Sequence, residues 1–482
     1  MNPLNSFSKK KKCILISPPE NGKCCTRGVL SLASFLESKG YPAGVVPLAE
    51  SMRVEEISSE KIEAVLSDVI RENDPLMIGV SCLTADYHTC KDVLRICKQL
   101  NENIVTLMGG IHPTFLDQDC IALPFVDIVV RGEGEWTLLE LIQALENGGF
   151  HPPYGELHRI KGITFKENGQ VIRTPERPLG DLNELPPLNF GLLRYEFVKE
   201  AYSYGMMSRG CAFNCTFCAD NRFWKGVRRF PVSRIIHEME TLEQVYKSPM
   251  VAIEDNMVYL GSEQFSELCR EIKQRKITLG PQFYVLTRTD CIIDSQGMKD
   301  MEGSGIRNVV LGIETGSPKV LKMMNKKTSP ETIISGCEKL TKYGLISIGL
   351  WMIGHPGDSA EESEHSLELL RHLLDKGFLS KANFSYFTPW PGTRFFEDME
   401  VFGIEILKPE WSDWNFRSKT GGKREPVCQL KGFSAEEMEV CYKKAQKIID
   451  QYSARPFWEP ASESDTVTVS FETLNKSVKA AV

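Results

Sequence analysis

The chain has 482 residues, of which 42% are hydrophobic and 25% charged, the make-up of an ordinary water-soluble protein with room for two to four domains. No apolar run is long enough to cross a membrane, no secretory leader is visible, and a net charge of −7 gives no support to general nucleic-acid binding. Fifteen cysteines without a leader point to a reducing, cytoplasmic setting.

Met1 to Lys12 is polar, ends in four lysines, and reads as a solvated lead-in. Short apolar runs then alternate with amphipathic ones. Strands are expected at Cys13–Ser17, Gly44–Leu48, Leu76–Cys82, Ile104–Met108 and Val126–Val130. Helices are expected at Gly28–Lys39, Ile57–Ile70, Tyr87–Leu100 and Trp136–Leu145. Continuous apolar strands between helices predict a parallel sheet covered on both faces, with its ligands beyond the strands' carboxyl ends. Those ends carry Pro18-Pro19, Ser81-Cys82-Leu83-Thr84, Gly109-Gly110-Ile111-His112-Pro113 and Arg131-Gly132-Glu133-Gly134-Glu135. Cys24 and Cys25 read as free thiols near a loop, with no role.

Residues 147–200 form a connector containing a hairpin, with Gly162–Phe165 and Val171-Ile172 turning at Asn168-Gly169. Pro178 to Pro187 is a proline-marked linker. Strands follow at Gly205–Arg209, Met250–Glu254, Gln282–Thr287, Asn308–Glu314, Ser347–Ile353 and Asn383–Thr388. Helices fit between them at Val232–Val245, Ser262–Arg275, Asp294–Gly303, Ser329–Tyr343 and Ser359–Lys376. Six such units predict a partial (β/α)6 barrel of the TIM type over 201–395, with its reactive groups at strand ends. Residues 396–460 form a small, mostly helical C-terminal domain with a capped helix at Ser434–Tyr452, and 461–482 read as a disordered tail. Trp411, Trp414 and Phe416 either cover the barrel mouth or pack as core.

The densest chemistry is Cys211-Ala212-Phe213-Asn214-Cys215-Thr216-Phe217-Cys218, three thiols in eight residues on a loop leaving a strand, with Gly210 turning the backbone. Zinc would want a fourth ligand nearby, and the nearest histidine is His237. A disulfide would leave one thiol over, and buried free thiols would be inert. An iron–sulfur cluster with one iron left open is the reading that spacing and position favour.

This C-x3-C-x2-C motif, with an aromatic before its last cysteine, resembles the radical S-adenosylmethionine (SAM) superfamily. The glycine-marked strand ends ahead of it resemble the cobalamin-binding domain of that superfamily's cobalamin-dependent branch, over roughly residues 12 to 400. The resemblance implies a Rossmann-like cobalamin domain over 1–146, a 4Fe–4S cluster on Cys211, Cys215 and Cys218, SAM on the open iron, and a 5′-deoxyadenosyl radical. It also implies an external one-electron reductant of the flavodoxin or ferredoxin type.

By the same resemblance Glu254 and Asp255 hold the SAM amino group, and Glu314, Thr315 and Ser317 the ribose and carboxylate. Ile353 lines the adenine with its strand neighbours, and Phe217 packs on it. Arg288 pairs either with the SAM carboxylate or with Glu314. Cobalamin falls to Pro18, Ser81, Leu83, Thr84, Gly109, Gly110, His112, Arg131, Gly132 and Glu133.

One departure is plain. The D-x-H-x-x-G motif that supplies a lower cobalt ligand in other cobalamin proteins does not follow the first strand. Asp86-Tyr87-His88 mimics its opening but follows the third strand, has Lys91 for the glycine, and reads as a helix start capped by Asp86. Cobalamin is therefore expected without imidazole ligation. His355 reads as a loop histidine bonded to backbone, with a role on substrate as the rival.

The implied reaction is methyl transfer to an unactivated carbon or phosphorus. The alternatives are radical oxidation, cyclisation or ring rearrangement without methyl transfer, and a non-enzymatic cobalamin or iron–sulfur sensor. The substrate, whether small molecule, peptide or lipid, has no signature in the chain.

Overall fold

The computed structural model describes residues 12–18, 27–51, 57–148, 154–201, 203–280, 283–292, 295–414 and 425–452. Cys24-Cys25, Phe416 and the expected tail lie outside the described residues.

The first sheet has seven strands in the order β2-β1-β3-β4-β5-β6-β7. They are β1 (Cys13–Ser17), β2 (Ala43–Pro47), β3 (Met77–Ser81), β4 (Val105–Gly109), β5 (Ile128–Val130), β6 (Ile163–Glu167) and β7 (Gln170–Arg173). β1 to β5 are parallel. Apolar side chains alternate between two cores. Leu15, Val45, Leu107 and Val130 pack with helices Arg27–Ser38 and Glu135–Gly148. Ile14, Ile16, Ile78 and Val129 pack with helices Ser59–Asn73 and Tyr87–Leu100. Burial on both faces is why these strands read as unbroken apolar runs.

The expected hairpin is present, but it is part of this sheet. β6 lies antiparallel to β5, with Val130 opposite Ile163. Asn168 and Gly169 turn it at φ 50° and 80°, both positive, as a two-residue hairpin turn requires.

The second sheet has six parallel strands in chain order. They are β8 (Tyr204–Gly205), β11 (Ala252–Ile253), β12 (Tyr284–Thr287), β13 (Asn308–Glu314), β14 (Ile346–Ile353) and β15 (Lys381–Tyr386). The strand expected at 205–209 divides. β8 stays in the sheet, while β9 (Ser208–Arg209) pairs antiparallel with β10 (Arg228–Arg229). The physical reason is Asp255, whose carboxylate takes the Met207 N–H and the Ser208 hydroxyl, both at 2.6 Å, and draws the chain out of the ladder. Ala252, Tyr284, Val310 and Ile348 cluster on one face of this sheet. The other face joins the large core under helices Val232–Gln244, Glu263–Arg275, Pro330–Lys342 and Ala360–Asp375.

The C-terminal segment contains a small two-stranded antiparallel ladder, β16 (Ile404–Ile406) with β17 (Cys428–Leu430). Helix Ala435–Gln451 opens with a capping box between Ser434 and Glu437 and lies against helix Ala360–Asp375 and β15. The turn at Trp411–Asp413 reaches back to Thr84–Asp86 on the first sheet's loops.

Gly110 marks how closely those loops pack. Its φ is +110°, and a Cβ there would lie 2.6 Å from the Cys82 carbonyl oxygen. Gly110→Ala should cost roughly 2–4 kcal/mol in backbone strain and overlap. Urea unfolding measures this, and an unshifted midpoint would mean that the loop yields.

Candidate active site

The carboxyl ends of the two sheets carry two sites, and a buried guanidinium stands between them. Arg209 closes β9 two residues before the first cysteine. It donates from Nη1 to Glu133 Oε1 and from Nη2 to Glu135 Oε1, both at 2.6 Å. Arg228 also bonds Glu133, at 2.7 and 3.0 Å, and Ser31 donates to Glu135 at 3.0 Å. Arg209 holds the Glu135 carboxyl below its usual range against the opposing cost of burial.

Next to Arg209 the chain turns at Gly210, with φ +92° and the Gly226 carbonyl 1.8 Å from where a Cβ would stand; only glycine fits. The cysteine loop that follows is pinned from several sides. Asn256 accepts from the Gly210 N–H at 3.2 Å, and Tyr259 from the Ala212 N–H at 2.9 Å. Asn221 donates to the Cys211 carbonyl at 3.0 Å, and Asn325 to the Asn214 carbonyl at 2.7 Å. Met324 accepts from the Thr216 N–H at 3.0 Å. Cys215 is buried, and Cys211 and Cys218 are half-buried. Burial raises the thiols of Cys211 and Cys218, so binding a metal there releases protons.

Among the described residues no three His, Cys, Asp or Glu side chains converge tightly enough for a single metal ion. A four-iron cluster spreads its thiolates over separate irons, and three thiols on one short, braced loop suit it chemically.

Arg288 is committed to that loop. Its guanidinium bonds Asp290 at 2.8 and 2.7 Å, reaches the Lys326 carbonyl, lies 3.8 Å over the Phe213 ring, and donates to Cys215 Sγ at 3.4 Å. It does not pair with Glu314, as one of its two readings had it. Glu314 pairs instead with Lys326 Nζ at 3.0 Å. Lys326 is 3% exposed, and sequence reasoning missed it, because a lone lysine after a short helix carries no periodic signal. Glu314 follows a bulge in β13 and has φ 69°, a strained conformation for a residue with a side chain.

The remaining expected SAM residues divide by direction. Glu254 is solvent-accessible and accepts from Tyr284 at 3.0 Å, yet enough protein surrounds its carboxyl that desolvation raises its pKa. Asp255 has both oxygens occupied by residues 207 and 208, and burial pushes it up to about 6. Thr315 bonds Ser366 at 3.0 Å, and Ser317 caps helix Pro318–Met323 while donating to Glu362. These three brace the strand ends. Ile353 packs in the core under the helices, opposite to the face that carries Ile348 and Leu350. Strand alternation gives the half-buried Met352 the position expected of Ile353.

Phe217 stands 5.6 Å from His355 and 5.7 Å from Lys326 Nζ. His355 is fully buried against Phe387 and Phe395, and neither ring nitrogen meets a partner among the described residues. Burial, helped by the Lys326 cation, lowers its pKa well below the usual histidine range and keeps it neutral. The expected backbone bond is absent.

On the other side of Arg209 lies a mainly apolar cavity of about 240 Å³. Gly79, Gly109, Gly110, Gly132 and Gly134 line it, with Leu15, Val29 and Leu138 on its walls and Trp224 at the Arg209 end. A Cβ on Gly134 would lie 3.1 Å from Leu32, so the missing side chains help to make the space. Ser81, Leu83 and Glu133 line it as expected. Pro18, Thr84, His112 and Arg131 do not. Pro18 is buried at the end of β1. His112 bonds Thr84 at 3.1 Å and packs between Tyr87 and Trp411, and burial lowers its pKa to about 4. Arg131 ties β6 and the end of β7 through the carbonyls of Ile163 and Thr174.

The radical SAM superfamily model matches residues 206–370, and the B12-binding domain model matches residues 21–142; together they cover more than half of the chain. The chain belongs to the cobalamin-binding branch of the radical SAM superfamily. An uncharacterised methyltransferase of Pyrococcus horikoshii is 29% identical over 454 residues, 91% of this chain and 92% of the relative. The anaerobic magnesium-protoporphyrin IX monomethyl ester cyclase of Rubrivivax gelatinosus is 27% identical over 405 residues, 80% of this chain and 70% of the relative. The radical SAM methyltransferase TsrM of Kitasatospora setae, solved with cobalamin and a 4Fe–4S cluster, superposes with a TM-score of 0.70 at 16% identity and 91% coverage of both chains, a likeness of fold.

The cofactors of this radical SAM protein are a 4Fe–4S cluster, SAM and cobalamin. The glycine-lined cavity fits part of a flat, bulky ligand, and no histidine is among the described residues that line it. His88 lies on the surface, its side chain 65% exposed and 3.7 Å from Asp92. Asp86 stands at the N-cap position without the side-chain cap bond expected of it.

Two outcomes follow. His88→Ala should leave the Co(II) paramagnetic resonance spectrum of the cobalamin-loaded protein unchanged and free of protein-nitrogen splitting; splitting lost with His88 would overturn this. Arg209→Gln strands Glu135 in the interior and should cost about 3–5 kcal/mol, read as a lower urea midpoint, with weaker cobalamin binding in the same preparation.

Proposed function

We propose that the protein is a cobalamin-dependent radical SAM methyltransferase acting on an unactivated carbon or phosphorus centre of its substrate. The observation that carries this is the placement of the glycine-lined cavity and the root of the cysteine loop on either side of Arg209. In this reading the first sheet is a Rossmann-like cobalamin domain and the second a partial (β/α)6 barrel. Methyl transfer draws on the relative named as a methyltransferase.

When bound, the cluster and SAM supply the 5′-deoxyadenosyl radical and cobalamin supplies the methyl group. Cys211, Cys215 and Cys218 hold three irons. Arg288 places a fixed positive charge against the Cys215 sulfur, where it stabilises negative charge on that ligand. Glu254, accessible at its strand end, takes the SAM ammonium, and this cation offsets the desolvation that raises its carboxyl. Glu314 offers its second oxygen to the ribose hydroxyls, while Lys326 fixes the first.

A second reading, radical ring closure without methyl transfer, is favoured by the similarity to the Rubrivivax cyclase. Product analysis separates the two. Reconstituted enzyme given SAM, substrate and reductant should release S-adenosylhomocysteine together with 5′-deoxyadenosine, and Cys215→Ala should release no 5′-deoxyadenosine. 5′-Deoxyadenosine alone would assign radical chemistry without methyl transfer. Glu254→Gln should weaken SAM binding by about tenfold with the cluster spectrum intact; unchanged affinity would remove Glu254 from the SAM site.

A further inference from the structure

A second cavity, of about 450 Å³, adjoins the glycine-lined one, and Gly132, Glu133 and Phe223 line both. Its volume falls in the range of small-molecule sites. Its wall is rich in cations. Arg131 comes from the loop after β5, Arg173 from the end of β7, Arg177 from the connector, and Arg222 and Lys225 from the segment after the cysteine loop.

Most of these cations have a carboxylate of their own. Arg177 pairs with Glu140, Lys225 with Glu176 and Arg222 with Glu397. Glu133 is already held by Arg209 and Arg228. Arg131 and Arg173 differ, because they share one carboxylate. Asp117 Oδ2 accepts from Arg173 Nε at 2.9 Å and from the Thr164 hydroxyl at 2.6 Å, while Arg131 Nε stands 3.7 Å away, beyond hydrogen-bond reach. Arg131 is 5% exposed, and its Nε meets no hydrogen-bond partner among the described residues. One positive charge at the cavity is therefore unmatched, a cost that a bound anion removes. Burial, and after it the Arg173 cation, lowers the pKa of Arg131, as befits a guanidinium short of negative charge.

We infer that this cavity takes an anionic group of the substrate, a carboxylate or a phosphate, on Arg131 and Arg173. The inference rests on the methyltransferase reading in calling the ligand the substrate. Guanidinium forks grip either oxyanion through paired, charge-assisted hydrogen bonds. Phe115 and Phe223, with ring centroids 6.5 Å apart, give the adjoining carbon skeleton an apolar wall, and Phe223 continues that wall into the glycine-lined cavity. The anionic group thus tethers the substrate beside the cobalamin cavity. A neutral hydrocarbon would leave the charge at Arg131 unmatched and does not fit.

The test titrates inorganic phosphate and, separately, acetate into the cluster- and cobalamin-loaded protein by calorimetry. The wild type should bind, and the tighter of the two anions names the group. Arg173→Gln, at a side chain 47% exposed and so tolerant of change, should weaken that binding about tenfold and leave cobalamin affinity as in the wild type. Glu176→Gln, which releases Lys225 from its partner, should tighten it. The phosphorus or carboxyl carbon resonance of the bound anion should broaden when the cobalamin is reduced from diamagnetic Co(III) to paramagnetic Co(II). No binding of either anion, or equal binding in wild type and Arg173→Gln, would overturn the site. Loss of cobalamin affinity in Arg173→Gln would give the cavity to cobalamin's own phosphodiester, and absence of Co(II)-dependent broadening would place the anion away from the cobalt; either would overturn the substrate assignment. Methyl transfer itself is decided by the release of S-adenosylhomocysteine, so failure of that reading and failure of the anion site show in different measurements.

Discussion

The geometry of the site depends on one buried cation. A guanidinium taken out of water costs several kcal/mol unless its charge and most of its N–H groups are met. Arg209 meets that condition with two carboxylates, Glu133 and Glu135, from the loop after β5. Because those carboxylates belong to the first sheet and Arg209 to the root of the cysteine loop, the ion cluster fixes how the two sheets face each other. Moving either sheet would leave a charge unpaired in the interior, so the arrangement is held as one state.

The same logic sorts the polar groups of the second sheet. A buried polar group must be satisfied, and what satisfies it tells its role. Asp255 is satisfied by its own strand's neighbours, and Ser317 by a helix and Glu362, so both hold backbone. Glu254 stays accessible although desolvation works against its charge, and Glu314 keeps a strained backbone with one oxygen on a buried lysine. Accessible charge and retained strain are costs a merely structural position would shed, and they mark Glu254 and Glu314 as candidates for ligand contact.

Much of this was legible in the chain. Unbroken apolar strands, their period and the capped helices gave elements most of whose ends lie within three residues of those observed, because burial on both faces leaves an unambiguous pattern. The cysteine spacing was legible because three thiols in eight residues have few other uses. Side-chain direction was not. A one-residue step along β14 turns Ile353 into the helix-facing core, and nothing in its composition says so. Partners distant in sequence were equally hidden: Arg288 reaches back 73 residues to Cys215, and Lys326 reaches Glu314 only through the turn after a short helix. The split of the second sheet's first strand follows from Asp255, whose side chain competes with a ladder bond that propensity assumes.

The C-terminal segment supplies a further link between the sheets. Trp411 packs 5.4 Å from His112 on the first sheet's loops, 4.7 Å from Trp414, and 6.2 Å from Phe396 beside the second sheet, and Trp390 stands 6.1 Å from Trp414. This aromatic row joins by dispersion and burial what Arg209 joins by charge, and the two constraints differ in kind. The ion cluster is specific in geometry and intolerant of displacement. The aromatic row is worth about 0.5–1.5 kcal/mol per ring pair beyond burial and tolerates sliding. Such a row can yield without separating the charges at Arg209, so the fixed relation between cavity and cysteine loop lies with the arginine.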